Sequence, residues 1–442
     1  MNVRQLKFGI IVAAAIAASG CGIFGHKKPS TPVLGERIAV LAAESDVAVD
    51  PATAALPMSL PAPVVNPAWS QSGGNASKAM GHVALGGSLT QAWEASIGQG
   101  TSLSARLAAA PVVADGKVFT IDTLATVRAF DAQTGAAIWR TQFGTERGNE
   151  AALFGGGLAY SNGRIYATNG LGFVAALDGT NGGIAWQVRP GGPLRGSPTV
   201  AGDAVYVMSQ DNQIYSLKLA DGTTNWSQAA ALEIAGIFGV ASPAYAQGTI
   251  VAGFSSGELN AYRYENGRVV WQDALARTSI RTSVSSLSDI DADPVIDNGQ
   301  VIAIGQGGRM VAMELITGQR MWELNLAGIA TPWVAGDWVF VVTSDAKLMA
   351  IARASGKVRW ITQLHDFRNE KSKSGPINYS GPILAGGRLI TTSTNGAITF
   401  VNPDNGAVEG QTSVKTGISL PPVVANNTLY VLDDNGRLHA FR

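Results

Sequence analysis

The chain has 442 residues, 46% of them hydrophobic and only 14% charged, with 53 glycines. That balance suits many short strands joined by tight turns and excludes a disordered chain. Thirty-two basic residues cancel thirty-two acidic ones, so no global field draws the protein onto nucleic acid or an anionic surface, and a partner must be recognised through local patches.

In chain order, Arg4 and Lys7 precede the apolar run from Phe8 to Ala18, which is too short to span a bilayer and reads as a signal peptide over residues 1–20. The small residues Ala18, Ser19 and Gly20 lead into Cys21, the sole cysteine. This stretch resembles a bacterial lipobox, so Cys21 is expected to carry lipid and no disulfide can form. Several acyl chains, at roughly 0.8 kcal/mol per buried methylene, give stable anchoring. Gly22 in place of aspartate resembles lipoproteins forwarded to the outer membrane. Residues 21–87, rich in Ala, Pro and Ser and without a period of 2 or 3.6, are expected to form a flexible tether. A coil of about 65 residues would span about 45 Å.

From residue 88 the sequence repeats. A glycine stands four residues before a tryptophan at Gly135/Trp139, Gly182/Trp186, Gly222/Trp226, Gly267/Trp271, Gly318/Trp322 and Gly356/Trp360. A further copy at Gly406 keeps the turn and loses the indole, and Trp93 lacks the upstream part of its own repeat. Successive tryptophans are 38 to 51 residues apart, a spacing that fits four-stranded propeller blades. Period-2 runs such as Leu429 to Leu432 rule out helical repeats. The C-terminal segment supplies three strands and stops, so the strand around Trp93 completes that sheet. The expected fold is therefore all-β, an eight-bladed β-propeller over 88–442 closed by the N-terminal strand. Prolines at 111, 198, 243, 294, 332, 382 and 422 announce the first strand of a blade, where no ladder donor is lost. An indole at one fixed place per blade packs between neighbouring sheets.

Other chemistry is sparse. His26, His82, His365 and His439 show no metal-ligand spacing. Glycine runs at Gly155 and Gly305 lie between strands and read as hairpin glycines, not phosphate loops. Asp289, Asp291 and Asp293 alternate as in a calcium loop, but Pro294 occupies the position that requires glycine and Gln300 the one that requires a bidentate glutamate. They read as caps of a turn before a strand or as partner-binding groups, two roles that are compatible. Neither a metal nor a cofactor is expected. Between a tryptophan and the next blade's proline lie 16 residues after Trp226, 22 after Trp271 and 21 after Trp360, against 9 after Trp322. Such links emerge on one face of a propeller, and links beyond the minimum are where a rigid scaffold carries function.

The stretch from Ala129 to Trp139 resembles the tryptophan-docking motif of quinoprotein (PQQ) alcohol dehydrogenases, whose ring is also eight-bladed. Those enzymes carry a vicinal disulfide, which a single cysteine cannot supply. The combination of lipobox, tether and ring is more similar to the BamB family of outer-membrane β-barrel assembly lipoproteins, and the run from Leu287 to Val295 resembles that family's Leu-Ser-Asp-Val-Asp segment. The resemblance implies a non-enzymatic scaffold of the BAM complex, lipid-anchored at the periplasmic face of the outer membrane. It implies that Asp289 and Asp291 take part in docking a BamA-type barrel protein through its periplasmic domains, with nascent outer-membrane proteins as further partners. A second family element, a Leu-Arg loop one blade earlier, aligns with Ile237 and Phe238, so phenylalanine stands where the family has arginine. The alternatives are a PQQ-dependent quinoprotein or a propeller that binds an envelope polymer through exposed aromatics at the ring centre.

Overall fold

The computed structural model describes residues 47–232, 241–275 and 288–442. Eight four-stranded antiparallel sheets follow one another. Blades 1 to 7 span residues 112–142, 158–188, 199–229, 244–274, 295–324, 333–363 and 379–413. Blade 8 takes three strands from 423–441 and its outer strand, Gln91–Ser96, from the other end of the chain, paired antiparallel with Arg437–Phe441. The expected ring closure is thus observed.

Burial follows from sheets packed face to face around a ring. Middle strands such as Ala204–Met208 are covered on both sides and are buried throughout, so they read as continuous apolar runs. Outer strands such as Ala137–Gln142 alternate, with one face towards the neighbouring blade. In every blade the pairing of the last two strands shifts register just before the tryptophan position. This bulge adds local twist and aims the residue four positions after the turn glycine at the next sheet.

Seven indoles each dock on the following blade. Their Nε1–H groups donate to backbone carbonyls there at 2.7 to 3.3 Å. The marker glycine of that next blade has φ between 70° and 76°, and a Cβ on it would lie 2.5 to 2.8 Å from the indole. The glycine is required twice, by its turn and by the ring pressed against it. The prolines lie one residue before the innermost strand in six blades, whereas Pro382 falls inside its strand, Tyr379–Ala385. Gly305 to Gly308 do form a hairpin turn, but Gly155 to Gly157 belong to the link leading into blade 2, where a Cβ on Gly156 would meet Thr168 O at 2.1 Å.

One expectation needs correction. From Val47 onward the segment read as tether is bound to the ring, so the flexible stretch cannot extend to residue 87. Val49 bridges Val358 on the outer strand of blade 6. The single-turn helix Pro51–Ala54 follows, N-capped by the Asp50 carboxylate, which accepts from Thr53 N at 2.8 Å. Arg359 then donates to the Thr53 and Leu56 carbonyls and pairs with Asp404 at 2.8 Å. Trp69, Val83 and Leu85 belong to the largest hydrophobic cluster, which spans blades 6, 7, 8 and 1. The absence of a period in this stretch reflects the fact that its residues serve one blade after another, so no single face repeats.

Candidate functional site

The links from each outer strand to the next innermost strand open on one face, the link face, and surround an axial funnel of about 350 Å³. Trp69, Gln71 and Lys78 form its floor, and Arg106, Arg195, Asp291, Asp293 and Tyr379 stand in its wall. Trp69 and Trp333 stack at 5.9 Å and 11°, but each is only 3% exposed. The two indoles are therefore part of the core and offer no open aromatic platform to a polymer.

The three alternate aspartates have three different surroundings. Asp289 is 1% exposed, and its carbonyl accepts from Gln306 N at 2.8 Å. Ile290, between the aspartates, packs under Gly253, where a Cβ would come within 2.4 Å of its side chain. Asp293 is structural: Oδ1 accepts from Ser242 N at 2.7 Å and Oδ2 from Ser72 Oγ at 2.5 Å. Asp291 and Asp293 both line the funnel, but of the three only Asp291 is half-buried. Among the described residues nothing donates to its Oδ2, and burial, with the Asp289 charge second, pushes its carboxyl up to about 7. The Asp293 carboxylate thus ties remote segments together and does not cap its own turn, and the partial exposure falls to Asp291. Ile237, Phe238 and Cys21 lie outside the described residues.

Sequence reasoning missed Lys78, whose signal was one lysine within an otherwise small and polar stretch. Its side chain is 1% exposed; Nζ donates to Thr199 Oγ1 at 3.2 Å. Burial lowers its pKa to about 8, opposed by the nearby Asp293 carboxylate. Arg195 lies 4.4 Å from the centroid of the Phe154 ring and donates to Phe154 O at 3.1 Å. The link after Trp360 folds into a hairpin, Phe367–Asn369 with Ser374–Pro376. His82 accepts at Nε2 from Gly387 N at 2.9 Å, which leaves Nδ1 to donate to Pro61 O at 2.7 Å. That pairing fixes its neutral tautomer. Among the described residues no group of three His, Cys, Asp or Glu is gathered for a metal.

A ring of this kind, with indoles locking its blades and its long links and funnel on one face, is a β-propeller of the PQQ-like repeat class. The chain belongs to the outer membrane protein assembly factor BamB family, whose model matches residues 123–362. It is 26% identical over 358 residues to BamB of Yersinia pestis, covering 80% of this chain and 88% of that one. With BamB of Escherichia coli K12 the identity is 28%, covering 79% and 88%. Among solved structures, BamB from Moraxella catarrhalis superimposes with a TM-score of 0.69 at 19% identity, over 80% of this chain and all (100%) of the other. The quinohemoprotein alcohol dehydrogenase of Comamonas testosteroni does so with 0.65 at 13%, over 85% and 80%. At these identities the superpositions speak for the fold alone.

Proposed function

We propose that this protein is a non-enzymatic docking platform of the outer-membrane β-barrel assembly machinery. It binds the periplasmic domains of a BamA-type partner through the link face and is held at the outer membrane by lipid on Cys21. Family membership supports the process, and Asp291 carries the choice of face. A half-buried carboxylate without a donor to its Oδ2 among the described residues is costly to leave ionised and gains most from an incoming cation or backbone N–H. The links that hold Ile237 and Phe238 follow blade 3, one blade before the link to Asp291, so both can meet one partner.

Against the quinoprotein alternative stand the single cysteine and the segment through Trp69 and Lys78 that fills the axial position. Purified protein should therefore reduce no dye when PQQ and calcium are supplied.

The docking test compares binding of the partner's purified periplasmic domains by wild type, Asp291→Ala and Phe238→Asp. Losing a buried charge pair costs about 2 to 5 kcal/mol, so Asp291→Ala should weaken binding by about 30-fold or more while the ring stays folded. Asp289 is unsuited to this test because its buried side chain couples binding to folding. Wild-type affinity in both variants would remove the link face from consideration. For the anchor, Cys21→Ser should abolish incorporation of labelled fatty acid and release the ring into the soluble periplasmic fraction. Retention of the variant in carbonate-washed membranes would refute a purely lipid attachment.

A further inference from the structure

The innermost strand of each blade has an edge that faces the channel, and eight such edges converge there with backbone groups that need partners. Residues 66–83 supply them in ring order. Asn66 serves blade 8: its Nδ2 donates to Val424 O at 2.6 Å and its carbonyl accepts from Asn426 N at 2.9 Å. Trp69 exchanges both bonds with Val113 of blade 1, at 2.8 and 2.9 Å, and Ser70 O accepts from Tyr160 N of blade 2 at 2.7 Å. In blade 3 the Gln71 side chain imitates a strand, its Oε1 accepting from Val200 N at 2.9 Å and its Nε2 donating to Val200 O at 3.3 Å. After a turn through Gly73 and Gly74, with φ of 69° and 94°, Ala76 O and Ser77 O each accept at 2.8 Å, from Tyr245 N of blade 4 and Ile296 N of blade 5. Gly81 O takes the Trp333 indole N–H of blade 6 at 2.7 Å, and Val83 N donates to Leu384 O of blade 7 at 3.1 Å.

The exit of this segment meets the weakest joint. Blade 7 has Gly410 where six blades carry the docking tryptophan after their own turn glycine. Blade 8 has no turn before its outer strand, because the chain end interrupts it. Across that joint Val83 bridges Ala385 of blade 7 and Leu85 bridges Asn427 of blade 8. Arg388 Nη2 donates to Gly86 O at 2.9 Å.

We propose that the channel is a binding site for an extended peptide, that residues 66–85 of this same chain are its resident ligand, and that their exit staples the joint between blades 7 and 8 in place of the missing indole. The segment is a strap seated by the ring, with its affinity distributed over eight blades, seven through backbone groups and blade 6 through the Trp333 indole, and it bars the axis to through-passage.

The test cuts the strap free after folding. A protease site is inserted between the exposed residues Gly87 and Ser88 of the full chain in detergent. In the wild-type background the fragments 1–87 and 88–442 should stay together on size exclusion after cutting and separate only in denaturant. In Asn66→Ala/Trp69→Ala/Gln71→Ala the N-terminal fragment should leave on cutting, and amide exchange at Val113 and Val200 should rise by about ten-fold or more. Ile418, whose N–H donates to Ser393 O across the joint at 3.0 Å, should speed up on release. Ile290, which bonds Phe254 O at the indole-locked joint between blades 4 and 5, should not. Separation of the wild-type fragments without denaturant would overturn the proposal, as would unchanged amide exchange at Val113 and Val200 in the cut triple variant. Equal acceleration at Ile418 and Ile290 would overturn the staple.

Discussion

Gly318→Val should destabilise the ring by about 3 to 6 kcal/mol, far more than valine at a turn glycine without an indole. Two effects add. At φ 71° a β-branched residue pays a left-handed backbone cost of roughly 1 to 2 kcal/mol or more. The new Cβ would also lie 2.5 Å from Trp271 Cγ, and overpacking costs typically about 1 to 3 kcal/mol. Displacing the indole would further loosen its 2.8 Å bond to Leu315 O, a net loss of about 1 kcal/mol. Gly116→Val is the control: it has φ 68° and nothing within 4 Å of the added Cβ, so it reports the backbone cost alone. Denaturation midpoints of the two variants decide the matter. If Gly318→Val is no worse than Gly116→Val, the indole-on-glycine contact does not lock the blades.

The same contact explains why the ring was legible from sequence. A glycine and a tryptophan four residues apart serve two successive joints, the glycine receiving the indole of the blade before and the tryptophan docking on the blade after, and the joint recurs, so the pattern surfaces as a repeat; the lone Trp93 and the short C-terminal repeat then imply closure. The strap could not be seen this way. Asn66 and Gln71 use side-chain amides as substitutes for backbone, and Ser70, Ala76 and Ser77 contribute only carbonyls. Nearly any residue type can supply those groups, and a stretch chosen for small size and turns reads as a linker. The aspartate run was half legible. Alternation marked a structured approach to a strand, but which carboxylate is sealed and which faces the funnel depends on Ser72 and Ser242, more than 200 and about 50 residues away in sequence.

Asp291 should make the protein more stable in mild acid, and Asp291→Asn should erase that behaviour. Its carboxyl is raised from the ordinary value of 3.8 to about 7 by burial and by the Asp289 charge. Between those two values the folded protein binds more protons than the unfolded chain, so stability from this group is fully present below about pH 4 and is lost as pH rises through 7. Three units at about 1.36 kcal/mol each set an upper limit near 4 kcal/mol. Partial exposure of the side chain reduces the expected gain between pH 8 and pH 5 to about 2 to 3 kcal/mol. Lys78 does not confuse the comparison: its lowered pKa of about 8 makes the unfolded chain the stronger proton binder only above that pH, where stability rises with pH. Asp131 and Asp221, held below 3.8 by hydrogen bonds from Thr134 and Thr223, act only at lower pH. Unfolding free energies of wild type and Asp291→Asn should therefore converge below about pH 4 and diverge towards pH 8, with the variant the more stable. Parallel curves would mean that the carboxyl titrates normally. The same cost is what a docked cation would relieve. Calorimetry of partner binding at pH 7, in buffers of different ionisation enthalpy, should register proton release in the wild type and less in Asp291→Asn.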